Sequence, residues 1–211
     1  MPAHLDHLLW ASADLDAAVA ALEKCSGVRP AYGGSHPELG THNALAALGE
    51  RRFLELLAPD PMLKPGPLAR QLSELRAPVL LMWAARVESA AEAAARAEAA
   101  GYRAMTVPGH RPRPDGRVVR WTNVFVSGHG AGTLVPFFID WHDGGHPADD
   151  APEGLTLVSF VIEAPRPEHL SVVLATLDVD VEVREAEAER LVAVIDSPLG
   201  RLQLVGPAPG A

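Results

Sequence analysis

Residues 5–27, LDHLLWASADLDAAVAALEKCSG, join a short apolar run to an amphipathic segment. The run at 5–11 suits a buried strand, and Ser12 and Asp14 then offer N-caps for a helix over about 14–26. Gly27 closes that helix in the manner of a C′ glycine. Extended stretches follow at about 28–33, 42–49 and 52–58. The predicted unit is therefore strand, helix and three strands, written βαβββ.

The same unit recurs twice along the chain, with a period of roughly 76 residues. Three predicted segments make up this arrangement: module one at 1–58, module two at 77–147, and a third βαβββ module at 154–206. A Pro-rich linker with a short helix, 59–76, separates the first two modules, which together form one domain at 1–147. The fold class predicted is α+β. Three unrelated α+β pieces are the alternative.

The composition limits the class of protein. With 211 residues, 48% of them hydrophobic and 21% charged, the chain can bury one or two cores. Its net charge of −9 and its lack of a Lys/Arg cluster argue against partners such as nucleic acid or an anionic membrane. The N-terminus lacks the features of a secretory signal and no apolar run would span a bilayer, so we expect a cytoplasmic protein. The single cysteine, Cys25, excludes an internal disulfide and is expected to be buried.

Four motifs carry a resemblance to a known family. They are Leu5-Asp6-His7-Leu8, the stretch GGSHPELGTHNAL at 33–45, Phe53-Leu54-Glu55-Leu56, and PFFIDW at 136–141 with His146-Pro147 after it. Together they resemble the uncharacterised glyoxalase-like family of the vicinal oxygen chelate superfamily, which includes glyoxalase I, extradiol dioxygenases and antibiotic-resistance proteins. The resemblance covers about residues 4–147, and the third module follows from repetition alone. It implies two βαβββ modules side by side, whose curled sheets close into a cup.

The resemblance also implies where functional groups stand, on the first and fourth strands of each module. Carried over by position, these are His7 and Glu55, as an acid/base pair or as part of a site for zinc, nickel, iron or manganese. Module two departs from the pattern, because Val79–Ala85 contains no His, Asp or Glu and residues 134–139 are apolar. Asp140 would be a metal ligand only if the register of its strand shifted. We therefore expect an incomplete metal site.

Each of these two residues also has a structural interpretation. His7 would then be a hydrogen-bonded core residue, and Glu55 would face solvent on an edge strand. Glu55 lies between Leu54 and Leu56, and burying its carboxylate is costly without a partner or a polar cavity. This cost argues against a purely structural role for Glu55.

Five residues are predicted to bind substrate. His36 and Asn43 would present polar groups at the mouth of the cup, although Asn43 is also suited to a turn. Arg120 and Trp121 point to opposite faces of one strand, so either a guanidinium for a carboxylate ligand or a flat apolar wall faces inward. Phe138 belongs to an aromatic group that forms either core or cup wall. The segment with Asp140, His142 and His146 is interpreted as a surface loop.

Two functions fit this pattern. One is an enzyme of the lyase, isomerase or oxygenase type that acts on a small oxygenated or aromatic metabolite. The other is a non-catalytic protein that sequesters such a ligand in the same cup. A third hypothesis is an interaction protein whose cup is vestigial. Because the third module would leave an apolar face and a sheet edge uncovered, we expect a C2 homodimer through 154–206. Packing of this module onto its own cup is the alternative.

Overall fold

In the computed structural model, which describes residues 3–112, 118–142 and 145–206, eight strands form one mixed sheet. Their order is β2-β3-β4-β1-β5-β8-β7-β6. The elements of module one are β1 (His4–Ala11), α1 (Leu15–Ser26), β2 (Ala31–His36), β3 (Thr41–Gly49) and β4 (Arg52–Pro59). Those of module two are β5 (Val79–Arg86), α3 (Ala90–Ala99), β6 (Arg103–Pro112), β7 (Val118–Ser127) and β8 (Phe137–Asp140). Between them lies α2 (Pro67–Ser73).

The strand order is symmetric about the antiparallel pair of β1 and β5. In each module the first strand pairs in parallel with the fourth, β1 with β4 and β5 with β8. The edge strands β2 and β6 also contact each other, so the sheet curls into a cup. The prediction of two βαβββ modules in an α+β fold is therefore confirmed.

Local signals account for the helix boundaries. The side chain of Asp14 accepts a hydrogen bond from the Ala17 amide at 2.8 Å, and α1 ends at Gly27 with φ 76°. Ser89 caps α3 in the same way, through the amide of Glu92. Cys25 is exposed, contrary to expectation, because the buried stripe of α1 runs through Leu22 and Ser26. Within the described ranges, no helix has the length and apolar character needed to cross a membrane.

The third unit has the predicted element order but a different pairing. It contains β9 (Thr156–Ala164), α4 (Pro167–Thr176), β10 (Glu182–Glu185), β11 (Arg190–Ser197) and β12 (Gly200–Val205). Its sheet has the order β10-β9-β11-β12, so β9 lies inside, parallel to β10 and antiparallel to β11. In modules one and two, by contrast, the first strand pairs with the fourth. The third unit therefore repeats the order of elements along the chain but not the order of strands in the sheet.

The third unit packs onto the helix side of the large sheet. The rings of Trp83 and Phe160 meet edge to face, 5.1 Å between centroids, and β11 and β12 contact β5. Buried apolar residues of all three units form one continuous core. The apolar face that motivated the homodimer is thus covered within the chain, which is the alternative considered above.

Alternation along the strands separates this core from the cup. Leu8 and Leu54 belong to the core on the helix side, whereas His7 and Phe53, one residue earlier on each strand, stack on the concave side at 4.5 Å. At one end of the concave side, Leu72 of α2 packs in a small separate cluster.

Candidate functional site

Asp6 and His7 are chain neighbours whose side chains meet, which a regular strand would prevent. The pairing of β1 with β5 passes from Leu5 to His7 with a register shift, so Asp6 is the extra residue of a β-bulge. The bulge brings Oδ1 of Asp6 to 2.6 Å from Nδ1 of His7. His7 is 3% exposed and Asp6 is fully buried.

Asp6 is a buried acceptor for several donors. Nε2 of His146 lies 2.9 Å from its Oδ2, the indole Nε1 of Trp141 lies 3.1 Å away, and a guanidinium nitrogen of Arg86 lies 3.4 Å away. Burial alone would raise the pKa of Asp6, but the hydrogen bonds from His146 and His7, with the charges of the two rings, lower it well below the usual range. Asp6 is therefore an anion, and Nδ1 of His7 donates to it.

The tautomer of His146 follows from its two contacts. Its Nδ1 accepts a hydrogen bond from the Ala148 amide at 3.2 Å, so the proton is on Nε2, which donates to Asp6. This ring is held at the start of a 3-10 turn, Pro147–Asp149, by a capping box with Asp149. His146 thus fixes Asp6 as a hydrogen-bond donor.

Glu55 lies opposite the free edge of the His7 ring. Oε2 of Glu55 is 3.5 Å from Nε2 of His7, and Oε1 accepts a hydrogen bond of 2.6 Å from Nδ2 of Asn43. The side chains of His7 and Glu55 are 4% and 11% exposed. Since β4 lies between β3 and β1, Glu55 is not on an edge strand, and that alternative is wrong. The predicted residues His7, Glu55 and Asn43 are thus in one group.

Aromatic rings surround this group. His7 has Phe53 stacked on one side, Phe137 at 5.5 Å and Trp141 at 6.4 Å between centroids. Trp121 packs against Trp141 at 5.7 Å, so of the adjacent pair on β7 it is the indole that faces the cup. The site is a carboxylate and an imidazole within an aromatic wall.

Comparison with known proteins identifies the family of this chain. A family model described as a glyoxalase-like domain matches residues 5–177. The chain belongs to the glyoxalase-like domain family. The resemblance drawn from the four motifs is therefore confirmed. No curated protein sequence matches the chain.

Three solved structures resemble this glyoxalase-like domain at low identity. A hypothetical protein from Staphylococcus aureus has 12% identity and a TM-score of 0.64, over 97% of this chain and 86% of that chain. A 4-hydroxymandelate synthase mutant from Streptomyces coelicolor has 15% identity and a TM-score of 0.51, over 98% of this chain and 63% of that chain. Methylmalonyl-CoA epimerase from Mycobacterium tuberculosis has 23% identity and a TM-score of 0.47, over 64% and 85%. The first two show the fold alone.

Three predicted substrate-binding residues lie apart from the His7–Glu55 group. Phe138 is 1% exposed and packs in the core on the helix side, because its neighbour Phe137 takes the concave position. Arg120 is exposed on the face opposite Trp121. His36 is half-buried at the end of β2, with Nδ1 3.1 Å from Oγ1 of Thr41.

The sequence did not predict the roles of Asp6, Trp141 and His146. The surface-loop interpretation of the segment containing His146 is wrong for that residue, which is fully buried against Asp6. Asp140 instead accepts a hydrogen bond from the Ala90 amide at the start of α3. The available signal was the co-occurrence of Asp6-His7 and His146-Pro147 among the family motifs.

Register relates the two halves of the cup. Asn43 pairs with Leu57 across β3 and β4, and Asn123 pairs with Ile139 across β7 and β8. The residue two places before each partner is Glu55 in module one and Phe137 in module two. Module two thus keeps the asparagine and replaces the carboxylate with an aromatic ring.

This donor set does not match a chelated divalent metal. Glu55 and Nε2 of His7 are the two ligand groups that meet, and the described ranges contain no cluster of three or more His, Cys, Asp or Glu residues able to hold an ion. Structural metal sites commonly use four ligands and catalytic zinc sites three. The His7–Glu55 pair thus supplies one imidazole nitrogen and one carboxylate, fewer ligands than either kind of site uses.

Proposed function

We propose that the cup binds a small aromatic or oxygenated metabolite and that His7 and Glu55 move a proton to or from it. The observation that carries this is the 3.5 Å approach of Glu55 to Nε2 of His7, with Nδ1 of the same ring held by Asp6. A base whose far side is fixed by a buried carboxylate is the arrangement used in general acid–base catalysis.

The protons can be assigned from the contacts. Because Nδ1 of His7 keeps its proton and donates it in a hydrogen bond to Asp6, Nε2 and the Glu55 carboxylate would face each other with lone pairs if neither carried a proton. One shared proton removes this repulsion. A ligand beside Glu55 would then exchange that proton with the pair, while the hydrogen bond from Asn43 holds the carboxylate in place.

Binding without chemistry is the second candidate. It is favoured by the rings of Phe137, Trp121 and Trp141, each half-buried on the concave side, which offer apolar surface of the kind that small-molecule sites use. On this view Glu55 orients the ligand and no bond is broken.

Deuterium exchange distinguishes the two candidates. The protein would be incubated in heavy water with a panel of aromatic and aliphatic carbonyl compounds, and binding and loss of the C–H signal next to the carbonyl followed by proton NMR. Acid–base chemistry predicts exchange that Glu55→Gln abolishes and the outward-facing control Arg120→Leu preserves. Binding without exchange supports the second candidate, and absence of binding contradicts both.

Association as a C2 homodimer through 154–206 remains a proposal. Two strand edges of the third unit are candidates for the contact between the two chains. The small sheet ends in β10 and β12, whose outer edges have no partner strand within the described residues. Light scattering at tens of micromolar would test it. A mass of 22.4 kDa would contradict the dimer.

A further inference from the structure

We infer that the ligand of this cup is an uncharged aromatic compound that donates hydrogen bonds, such as a phenol or an arylamine, rather than an acid. The inference rests on the proposed binding function and adds the chemical class of the ligand. It follows from a comparison of two sets of polar atoms in the cup: those with hydrogen-bond partners and those for which the described residues provide none.

Asn43 offers an acceptor that no donor among the described residues satisfies. The residue is 5% exposed, and its Nδ2 donates to Oε1 of Glu55. Because the shared proton of the pair lies between Oε2 of Glu55 and His7, Oε1 accepts, and this bond fixes which end of the amide faces Glu55. Oδ1 of Asn43 is left buried, with no hydrogen-bond partner in the described part of the chain. A ligand donor would satisfy it.

Asn123 repeats this feature in module two. Its Oδ1 is also buried and lacks a partner among the described residues. Asn123 lies two residues from both Trp121 and Phe125, so all three share the concave face of β7. Its register matches that of Asn43, as described above. The two halves of the cup thus each present an unsatisfied carbonyl oxygen.

The donors around Glu55 are already engaged. Nδ1 of His7, Nε2 of His146 and the indole nitrogen of Trp141 all bond to Asp6. The guanidinium of Arg120, which the sequence offered for a carboxylate ligand, is exposed on the other face of β7. An acid in the cup would therefore face two carbonyl oxygens beside a His7–Glu55 pair that holds one proton, and no guanidinium on the concave face of β7 would balance its charge.

The aromatic side chains that line the cup indicate that its ligand is aromatic. Phe137 lies between His7 and Phe125, at 5.5 and 5.3 Å between centroids, and the indole of Trp141 lies near both His7 and Trp121. Flat apolar rings pack well against a flat ligand. A ring with a hydroxyl or amino group satisfies both the walls and the acceptors.

Three probes of similar size test the inference: phenol, toluene and benzoate. Their dissociation constants would be measured by NMR titration of the full chain near pH 7. We expect phenol to bind roughly 3- to 10-fold more tightly than toluene, the gain typical of one satisfied hydrogen bond, and benzoate to bind most weakly. Aniline should rank with phenol.

Variants identify the acceptors. Asn43→Leu and Asn123→Leu should each lower phenol affinity by roughly 3- to 10-fold and leave toluene unchanged, whereas Arg120→Leu should alter neither. The ranking of probes on the unmodified chain needs no variant, so it stands if a variant fails to fold. Benzoate binding as tightly as phenol would overturn this inference alone, and failure of every aromatic probe, including toluene, to bind would overturn the proposed function beneath it.

Discussion

Nδ1 of His7 lies 2.6 Å from Oδ1 of Asp6, the residue directly before it. Two consecutive strand residues make this contact because a bulge separates them from the regular alternation of β1. The imidazole is thereby oriented with Nε2 toward Glu55, and the orientation depends on a carboxylate that is fully buried.

The stability of the protein should depend on pH through Asp6. Its pKa is lower in the folded chain than in the unfolded one, so its contribution is complete above about pH 4 and is lost as the pH falls below that value. Asp6→Asn should lower the free energy of unfolding by about 3 kcal/mol at pH 7, because it disrupts a buried charge network.

Urea unfolding at pH 7 and at pH 3 measures this effect. The difference between wild type and Asp6→Asn should shrink at the lower pH. Asp196→Asn is the control, since Asp196 is paired with Arg201 at the surface and should matter little. A constant difference between wild type and Asp6→Asn at both pH values would contradict the role given to Asp6.

Glu55 and Leu56 should respond in opposite ways to the same new side chain. Glu55→Gln keeps the acceptor for Asn43 and should change the free energy of unfolding by less than about 1 kcal/mol while altering ligand binding. Leu56→Gln places an amide in the core, where Leu56 is fully buried, and should cost about 4 kcal/mol. Urea melts with a binding titration check both. Unfolding by Glu55→Gln would make Glu55 a structural partner instead.

Phe137 and Phe138 form a similar adjacent pair. Phe138→Ala should cost about 3–5 kcal/mol, because it leaves a cavity in the core. Phe137→Ala should cost less, since this ring is half-buried, but should weaken the binding of aromatic probes. Thermal melts and NMR titrations separate the two effects. Equal effects on binding would mean that Phe138 reaches the cup after all.

Elemental analysis of gently purified protein should find no stoichiometric metal, because His7 and Glu55 provide two ligands where stable sites use three or four. Native mass spectrometry of the same sample would reveal a retained ligand. One equivalent of zinc, nickel, iron or manganese that His7→Ala removes would show this expectation to be wrong.

Local signals were enough to predict the modules. Asp14 and Gly27 mark the ends of α1, and alternating apolar residues mark the strands on both sides. They do not specify strand neighbours, which is why the inner position of β9 in the third sheet was not predicted. The apolar pattern of a strand predicts which of its faces is buried, whereas the strand it pairs with depends on the packing of the whole chain.

The sequence likewise predicted some residues of the site and not others. His7, Glu55 and Asn43 could be placed by motif and strand position. Asp6 could not, because strict alternation puts it on the face opposite His7 and the bulge that reverses this leaves no mark in the sequence. His146, 140 residues further along the chain, donates a hydrogen bond to Asp6, and neither composition nor periodicity predicts a contact over that sequence separation.

That separation also bears on synthesis at the ribosome. Asp6 emerges early, yet its partner His146 lies 140 residues further along the chain. At the usual pace of translation, the delay is on the order of ten seconds. A nascent module one must therefore wait with its inner carboxylate still hydrated, and the hydrogen bond from His146 to Asp6 forms only when the second half of the cup has been made.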